Sequence, residues 1–226
     1  MLVDGHPMTR ERLALLIDDE DDLEVVGAAG GAGEARGLLA ERLPDVLVLD
    51  LSLGDAYGIE FIKELRQLHP KLRILVCSMH DQSVYAERAL RAGAKGYVTK
   101  QEATKWVLLA LRRILGGGVY LSEEMSQAVL GRVTGGGRGG AAAEGATLDA
   151  LTDRELEVFQ LIGAGKPVAR IAKLLHISPK TVGAHREHVK TELGVKTAAE
   201  LLRLAVQMTV RGEAWHASRE ALGRVA

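Results

Sequence analysis

Short apolar runs of buried-strand type alternate with helical stretches through the first half of this 226-residue chain, and no other feature constrains the fold as tightly. Glu24-Val25-Val26-Gly27, Val46-Leu47-Val48-Leu49-Asp50 and Ile74-Leu75-Val76-Cys77-Ser78 are such runs. Gly96-Tyr97-Val98-Thr99 is a shorter one, and Met1-Leu2-Val3 reads as the tail of another, short for a buried strand. Helices are expected near 8–18, 34–43, 58–68, 82–92 and 101–115. Alternation of this kind builds a parallel sheet with helices on both faces. In such sheets ligand chemistry gathers at the carboxyl ends of the strands. Asp4, Asp50, Ser78 and Lys100 all fall at or just beyond such an end.

The second half has no strand pattern but well-marked helix starts. Thr152-Asp153-Arg154-Glu155 and Thr197-Ala198-Ala199-Glu200 are capping boxes, in which a hydroxyl accepts from the backbone while the glutamate reaches back. Ser178-Pro179 sets a good cap before a proline at the first helical position. A further helix, about Pro167 to Leu175, precedes the short break His176-Ile177. Two short helices joined by a tight turn, the second well capped, form a helix-turn-helix pattern. Between the halves, the glycine- and alanine-rich run from Gly131 to Ala143 cannot build a core and reads as a linker.

Charge divides along the same line. Residues 1–120 carry 15 basic and 18 acidic side chains, while residues 148–226 carry 12 and 9, although the whole chain has a net charge of −1. An acidic front and a mildly basic back imply different partners for the two halves. The single cysteine, Cys77, excludes an internal disulfide and every multi-cysteine zinc site. No run approaches the ~18 apolar residues of a membrane span and no signal-peptide pattern opens the chain, so a soluble cytoplasmic protein is expected. Gly27 to Gly33 lacks the spacing of a phosphate-binding glycine loop and is expected to be an ordinary strand-to-helix turn. Asp18 to Asp22 reads as a solvated loop rather than a cation site, and His185 and His188 have no partner ligands for zinc.

The ordered set of motifs resembles a two-component response regulator of the NarL/FixJ type, a receiver followed by a LuxR-type helix-turn-helix. The resemblance rests on Val3-Asp4-Gly5-His6-Pro7, Pro44-Asp45 leading into Val46 to Ser52, Ser78-Met79-His80-Asp81 and Gly93 to Lys100. In the second half it rests on Leu151 to Val158, Ile171-Ala172, Ser178 to Val182, His185-Arg186 and Leu193-Gly194-Val195. It implies a doubly wound, five-stranded parallel α/β sheet of the flavodoxin/CheY-like kind, then a small all-α domain. The implied bounds are 1–120 for the receiver and 121–147 for a linker, itself a short helix and then the glycine-rich segment. The DNA-binding domain would span 148–210 and a tail without family counterpart 211–226.

The resemblance makes Asp50 the acceptor of a phosphoryl group from a histidine kinase, with Lys100 and Ser78 binding that group and Tyr97 as the aromatic switch. Mg²⁺ would be held by Asp4, Asp50 and the Ser52 carbonyl, weakened because Gly5 stands where the family carries a second acid, with Asp55 a candidate to fill the place. The helix from Pro179 to Leu193 would lie in the major groove of double-stranded DNA, its Val182, Val189 and Leu193 packing inward. Gly183, Ala184 and Glu187 would face bases while Lys180, Thr181 and Lys190 stand near phosphates. The helix after Thr197 carries more apolar surface than one core face needs, and the resemblance makes it a homodimer contact through Leu201, Leu204, Ala205 and Met208. Two alternatives share the residues: a regulator made independent of phosphate by Gly5, and an aspartyl-phosphate hydrolase. Hydrolase chemistry normally wants an acid two residues after the nucleophile, where this chain has Ser52.

Overall fold

A computed structural model of the chain describes residues 1–80, 82–127, 148, 150–175 and 177–207. Asp81, His176, Met208, the glycine-rich run and the tail with Trp215 lie outside the described residues. The chain divides into two compact units, Met1–Arg138 and Gly139–Ala226.

The first unit alternates strand and helix: β1 Leu2–Val3, α1 Pro7–Asp18, β2 Ala28–Ala29, α2 Ala32–Glu41, β3 Val46–Leu49, α3 Gly58–Leu68, β4 Arg73–Ser78, α4 Gln82–Ala92, β5 Gly96–Thr99 and α5 Ala103–Leu115. All pairings are parallel, in the order β2-β1-β3-β4-β5. The strand order reverses between β1 and β3, which opens a crevice at their carboxyl ends. β3 is buried along its whole length, as a strand covered by helices on both faces must be. On one face Leu13 and Ile17 of α1 and Val107, Ala110 and Ile114 of α5 close over Leu2, Val48 and Leu75.

The second strand is displaced from its expected place. Val25 and Val26 are half-buried but unpaired in the sheet, and the bridged residues are Ala28 and Ala29, opposite Leu2 and Val3. With only two residues in β1, two partners are all the ladder can take. The β-branched run looked like the strand, but register chose its neighbours.

The turn after β2 is closed from a distance. The Asp55 carboxylate accepts from the Ala32 and Gly33 amides at 2.8 Å each and so caps α2, whose own cap residue Gly31 has no side chain. A β-carbon on Gly31 would stand 2.7 Å from that carboxylate. These amides hold the Asp55 carboxyl below its usual value, against the opposing effect of burial. Asp55 is therefore held by the first amides of α2. Of the acidic run, Asp18 accepts from the Val25 amide, while Glu20 and Asp22 pair with Arg112 of α5.

Beyond α5, Tyr120 bridges Gly96 at the edge of β5. A helical turn over 123–127 follows, fastened by Ser122 Oγ donating to Gln82 Oε1 at 3.0 Å and Gln82 Nε2 donating to Glu124 Oε2 at 3.2 Å. The residues just past the receiver pattern thus hold on to the start of α4.

The second unit contains α6 Asp153–Gly163, α7 Val168–Leu174, α8 Pro179–Glu192 and a helix over 198–207. Both expected capping boxes form. Thr152 and Glu155 exchange backbone bonds at the start of α6. Thr197 Oγ1 accepts from the Glu200 amide while Glu200 accepts from Thr197 N, both at 3.1 Å.

Candidate phosphoacceptor pocket and DNA-facing helix

Asp4 follows β1 and Asp50 follows β3, so the crevice between these strands brings two buried carboxylates together. Lys100, one residue past β5, reaches across to them, its Nζ 2.6 Å from Asp4 Oδ2 and 2.7 Å from Asp50 Oδ2. The Lys100 amide donates to the Ser78 carbonyl, which fixes the stem of that lysine against β4. One ammonium thus compensates two carboxylates in a site where an unpaired charge is costly. Asp50 Oδ1 is buried and has no hydrogen-bond partner among the described residues.

His6 belongs to the same group, which the sequence reading did not bring out. Its backbone amide donates to Asp4 Oδ1 at 2.8 Å, and its Nδ1 lies 3.2 Å from Asp4 Oδ1 and 3.8 Å from Asp50 Oδ2. Asp4, His6 and Asp50 are the one group of metal-ligating side chains that converges among the described residues. The signal that could have found it is position: His6 stands in the same post-strand turn as Asp4.

Ser78 and Tyr97 are both fully buried. They meet through His80, whose amide approaches Ser78 Oγ at 3.4 Å and whose carbonyl accepts from the Tyr97 hydroxyl at 2.9 Å. The His80 ring stacks on Tyr85 and lies 3.0 Å from Ser52 Oγ. Burial holds its imidazole below the ordinary value. The loops after β3 and β4 are thereby tied together beside Asp50. Gly5 is exposed, and a β-carbon there would stand 3.3 Å from the Ser52 carbonyl oxygen.

In the second unit, Ser178 caps α8 by accepting from the Thr181 amide at 3.0 Å. Val182 and Val189 are buried, and Leu193 is half-buried. Lys180, Thr181, Ala184 and Glu187 form the exposed side, while Gly183 is half-buried with open space at its β-carbon. Lys190 is half-buried, and its Nζ lies 2.7 Å from Oε2 of the exposed Glu187. His188 Nδ1 lies 3.2 Å from Glu155 Oε1.

The helix over 198–207 is apolar on more than one side. Leu201 and Ala205 are 0% and 1% exposed and serve the interior. Leu202 and Val206, at 44% and 39%, are the apolar side chains it leaves open, with Leu204 half-buried and Met208 outside the described residues. Leu201 and Ala205, one turn apart, form the inward stripe of this helix.

Glu157 gives this unit a pH dependence. Burial pushes its carboxyl up to about 7, against the pull of Arg154 at 2.7 Å. An acid held above its unfolded value binds its proton more tightly when folded. Stability is then fully present below the ordinary glutamate value and is lost as pH rises towards 7. Glu157→Gln should abolish a loss on the order of 2 kcal/mol, so its thermal midpoint should match the wild type at pH 4.5 and exceed it at pH 8. Parallel pH slopes in the two melting series would refute that assignment.

Two family comparisons account for most of the chain. The response regulator receiver domain family matches residues 1–112, and the bacterial regulatory proteins of the luxR family match residues 149–205. The chain belongs to the response regulators that join a receiver to a LuxR-type DNA-binding domain, a family of transcriptional regulators. Among its relatives, the transcriptional activator protein ExaE of Pseudomonas putida is 37% identical over 92% of this chain and 95% of its own. The transcriptional regulatory protein MctR of Rhizobium johnstonii is 32% identical over 91% and 92%. A solved structure of RcsB from Salmonella enterica serovar Typhimurium, bound to promoter rprA in the presence of a phosphomimetic, is similar with a TM-score of 0.66. It is 26% identical and covers 91% of this chain and 96% of that one. No helix among the described residues is long and apolar enough to cross a membrane.

Proposed function

We propose that Asp50 accepts a phosphoryl group from a histidine kinase, and that this switches DNA binding by the second unit. The observation that carries the reading is Asp50 itself, buried at the carboxyl end of β3 with Lys100 on one oxygen and no partner among the described residues on the other. In-line transfer forms the bond from a carboxylate oxygen to phosphorus as the donor's phosphorus–nitrogen bond breaks, and it asks mainly for positioned cations. Lys100 supplies one. Ser78 and Tyr97, joined through His80, would register the new group.

Two buried carboxylates, one with a spare oxygen, suit a divalent cation. Asp4, Asp50 and the Ser52 carbonyl would hold Mg²⁺, which when bound neutralises phosphoryl oxygens. Lys180, Thr181, Ala184 and Glu187 present the DNA-facing side of α8, and Gly183 permits close approach. Leu202 and Val206 would form the apolar centre of a homodimer contact. The domain bounds 1–120, 121–147, 148–210 and 211–226 and a cytoplasmic location complete the reading, with no turnover beyond the protein's own phosphorylation and dephosphorylation.

Intact-mass measurement after treatment with a small-molecule phosphodonor tests it. One added phosphoryl group is expected, and none in Asp50→Asn; labelling that persists in the variant would remove Asp50 from the role. Gly5 favours a second reading, a regulator independent of phosphate, which predicts no added mass and unchanged DNA binding.

A further inference from the structure

We propose that Gln82 latches residues 119–127 onto the receiver, and that phosphorylation of Asp50 loosens this latch and so carries the signal into the chain that leads to the DNA-binding domain. The inference rests on the phosphoryl switch proposed above and adds the place where its output leaves the receiver.

The receiver family match ends at residue 112, yet the chain beyond α5 stays fastened to this unit at two places. The first is the edge of β5, where the Tyr120 amide donates to the Lys95 carbonyl at 2.9 Å and the Tyr97 amide donates to the Tyr120 carbonyl at 3.3 Å. The second is the first residue of α4. Gln82 is 9% exposed, and both ends of its carboxamide engage this segment, Oε1 accepting from Ser122 Oγ and Nε2 donating to Glu124 Oε2. Ser122 in turn starts the helical turn over 123–127. Its Oγ accepts from the Met125 amide at 3.3 Å and its carbonyl from the Ser126 amide at 2.9 Å. Tyr120 and Met125 are buried. A buried carboxamide needs such partners, and it offers a donor and an acceptor from one planar group.

Both fastenings lead back to the phosphoacceptor pocket. Tyr97, bonded to Tyr120 through its backbone, donates its hydroxyl to the His80 carbonyl. His80 stands two residues before Gln82 and stacks on Tyr85 of α4, and its amide is the group that approaches Ser78 Oγ. When Ser78 draws its hydroxyl towards a phosphoryl group on Asp50, it gives up that amide, and His80 is released at one end. Hydrogen bonds weaken steeply once distance and angle degrade, so a small shift passed from His80 to Gln82 breaks the bonds to Ser122 and Glu124. The segment then keeps only its hold on β5, and the chain leaves the receiver from that edge instead of from α4.

Hydrogen–deuterium exchange of the full-length chain, read by mass on peptides covering 119–127, follows the latch with and without acetyl phosphate and Mg²⁺. In wild type, phosphorylation should speed exchange there about fivefold, the factor expected for losing the net contribution of one hydrogen bond. Gln82→Ala, which keeps a good helix former at the start of α4, should exchange that fast before any phosphodonor is added and should not respond to it. Its phosphorylation, scored by intact mass, should match wild type, while the change in DNA affinity on phosphorylation shrinks. Gln82→Glu sets a carboxylate against Glu124 and should behave like Gln82→Ala. Adding Glu124→Gln reverses donor and acceptor in that pair, keeps the bond from Ser122, and should restore both slow exchange and the response to phosphodonor. Unchanged exchange in Gln82→Ala, a double variant that stays fast, or a wild type that gains the phosphoryl group without any change at 119–127 overturns the inference and leaves the switch at Asp50 standing. No added mass in wild type overturns both together.

Discussion

Replacing Lys100 with methionine should lower the stability of the receiver unit by about 2–4 kcal/mol at neutral pH, and adding Asp50→Asn should recover most of that loss. Methionine keeps much of the apolar stem and removes the charge. The ammonium stands within 2.7 Å of two carboxylates, and the Lys100, Asp4 and Asp50 side chains are 6%, 5% and 1% exposed. Without it, two like charges face each other in a poorly hydrated crevice, where Coulomb repulsion is weakly screened. Asparagine at position 50 removes one of them and keeps its shape. The double-mutant cycle should therefore show strong coupling between positions 50 and 100, well beyond the ~0.3–0.5 kcal/mol scatter of independent sites. Urea titration of the four full-length proteins, followed by circular dichroism, reads the receiver transition directly. Additive losses, or a Lys100→Met protein as stable as wild type, would show that solvent already compensates these carboxylates.

The same pocket shows how much a sequence discloses. Strand-end placement picked out Asp4, Asp50, Ser78 and Lys100 because in a parallel sheet the topology alone delivers those ends to one edge. α3 and α4 run from 58 to 68 and from 82 to 92 as expected. In α3 the apolar spacing is unbroken, with Ile59, Phe61, Ile62 and Leu65 all buried. What stayed hidden depends on contacts across long stretches of chain. Asp55 caps a helix more than twenty residues earlier, and Arg112 pairs with acids some ninety residues away. No local rule reveals such a partner. β2 failed for a related reason, since propensity marked Val25 and Val26 while the two-residue β1 decided which neighbours could pair. His6 escaped notice because two residues of separation from Asp4 match no ligand-spacing pattern, although the turn after β1 brings its ring back over the carboxylate.

On the DNA-facing side, Ala184→Glu should reduce affinity for duplex DNA by about 100-fold or more while leaving stability within roughly 0.5 kcal/mol of wild type. Ala184 is exposed on α8 and makes no core contact, and glutamate is a good helix former, so the fold has no reason to respond. Recognition has two. The new carboxylate lies one turn beyond Lys180, at the i,i+4 spacing that favours an ion pair, so it neutralises a cation proposed to contact phosphate. It also lies one turn before Glu187, whose own charge is already shared with Lys190, and so the centre of the proposed groove-facing surface turns acidic. Loss of one phosphate contact should also reduce the slope of log affinity against log salt by about 0.9. Fluorescence anisotropy with a labelled duplex of about 30 base pairs, enriched from a random pool by the wild-type protein, reads both quantities. An unchanged affinity would place the groove-facing surface elsewhere than on α8. An unchanged slope with lost affinity would instead assign position 184 to base edges alone and leave the Lys180 phosphate contact intact.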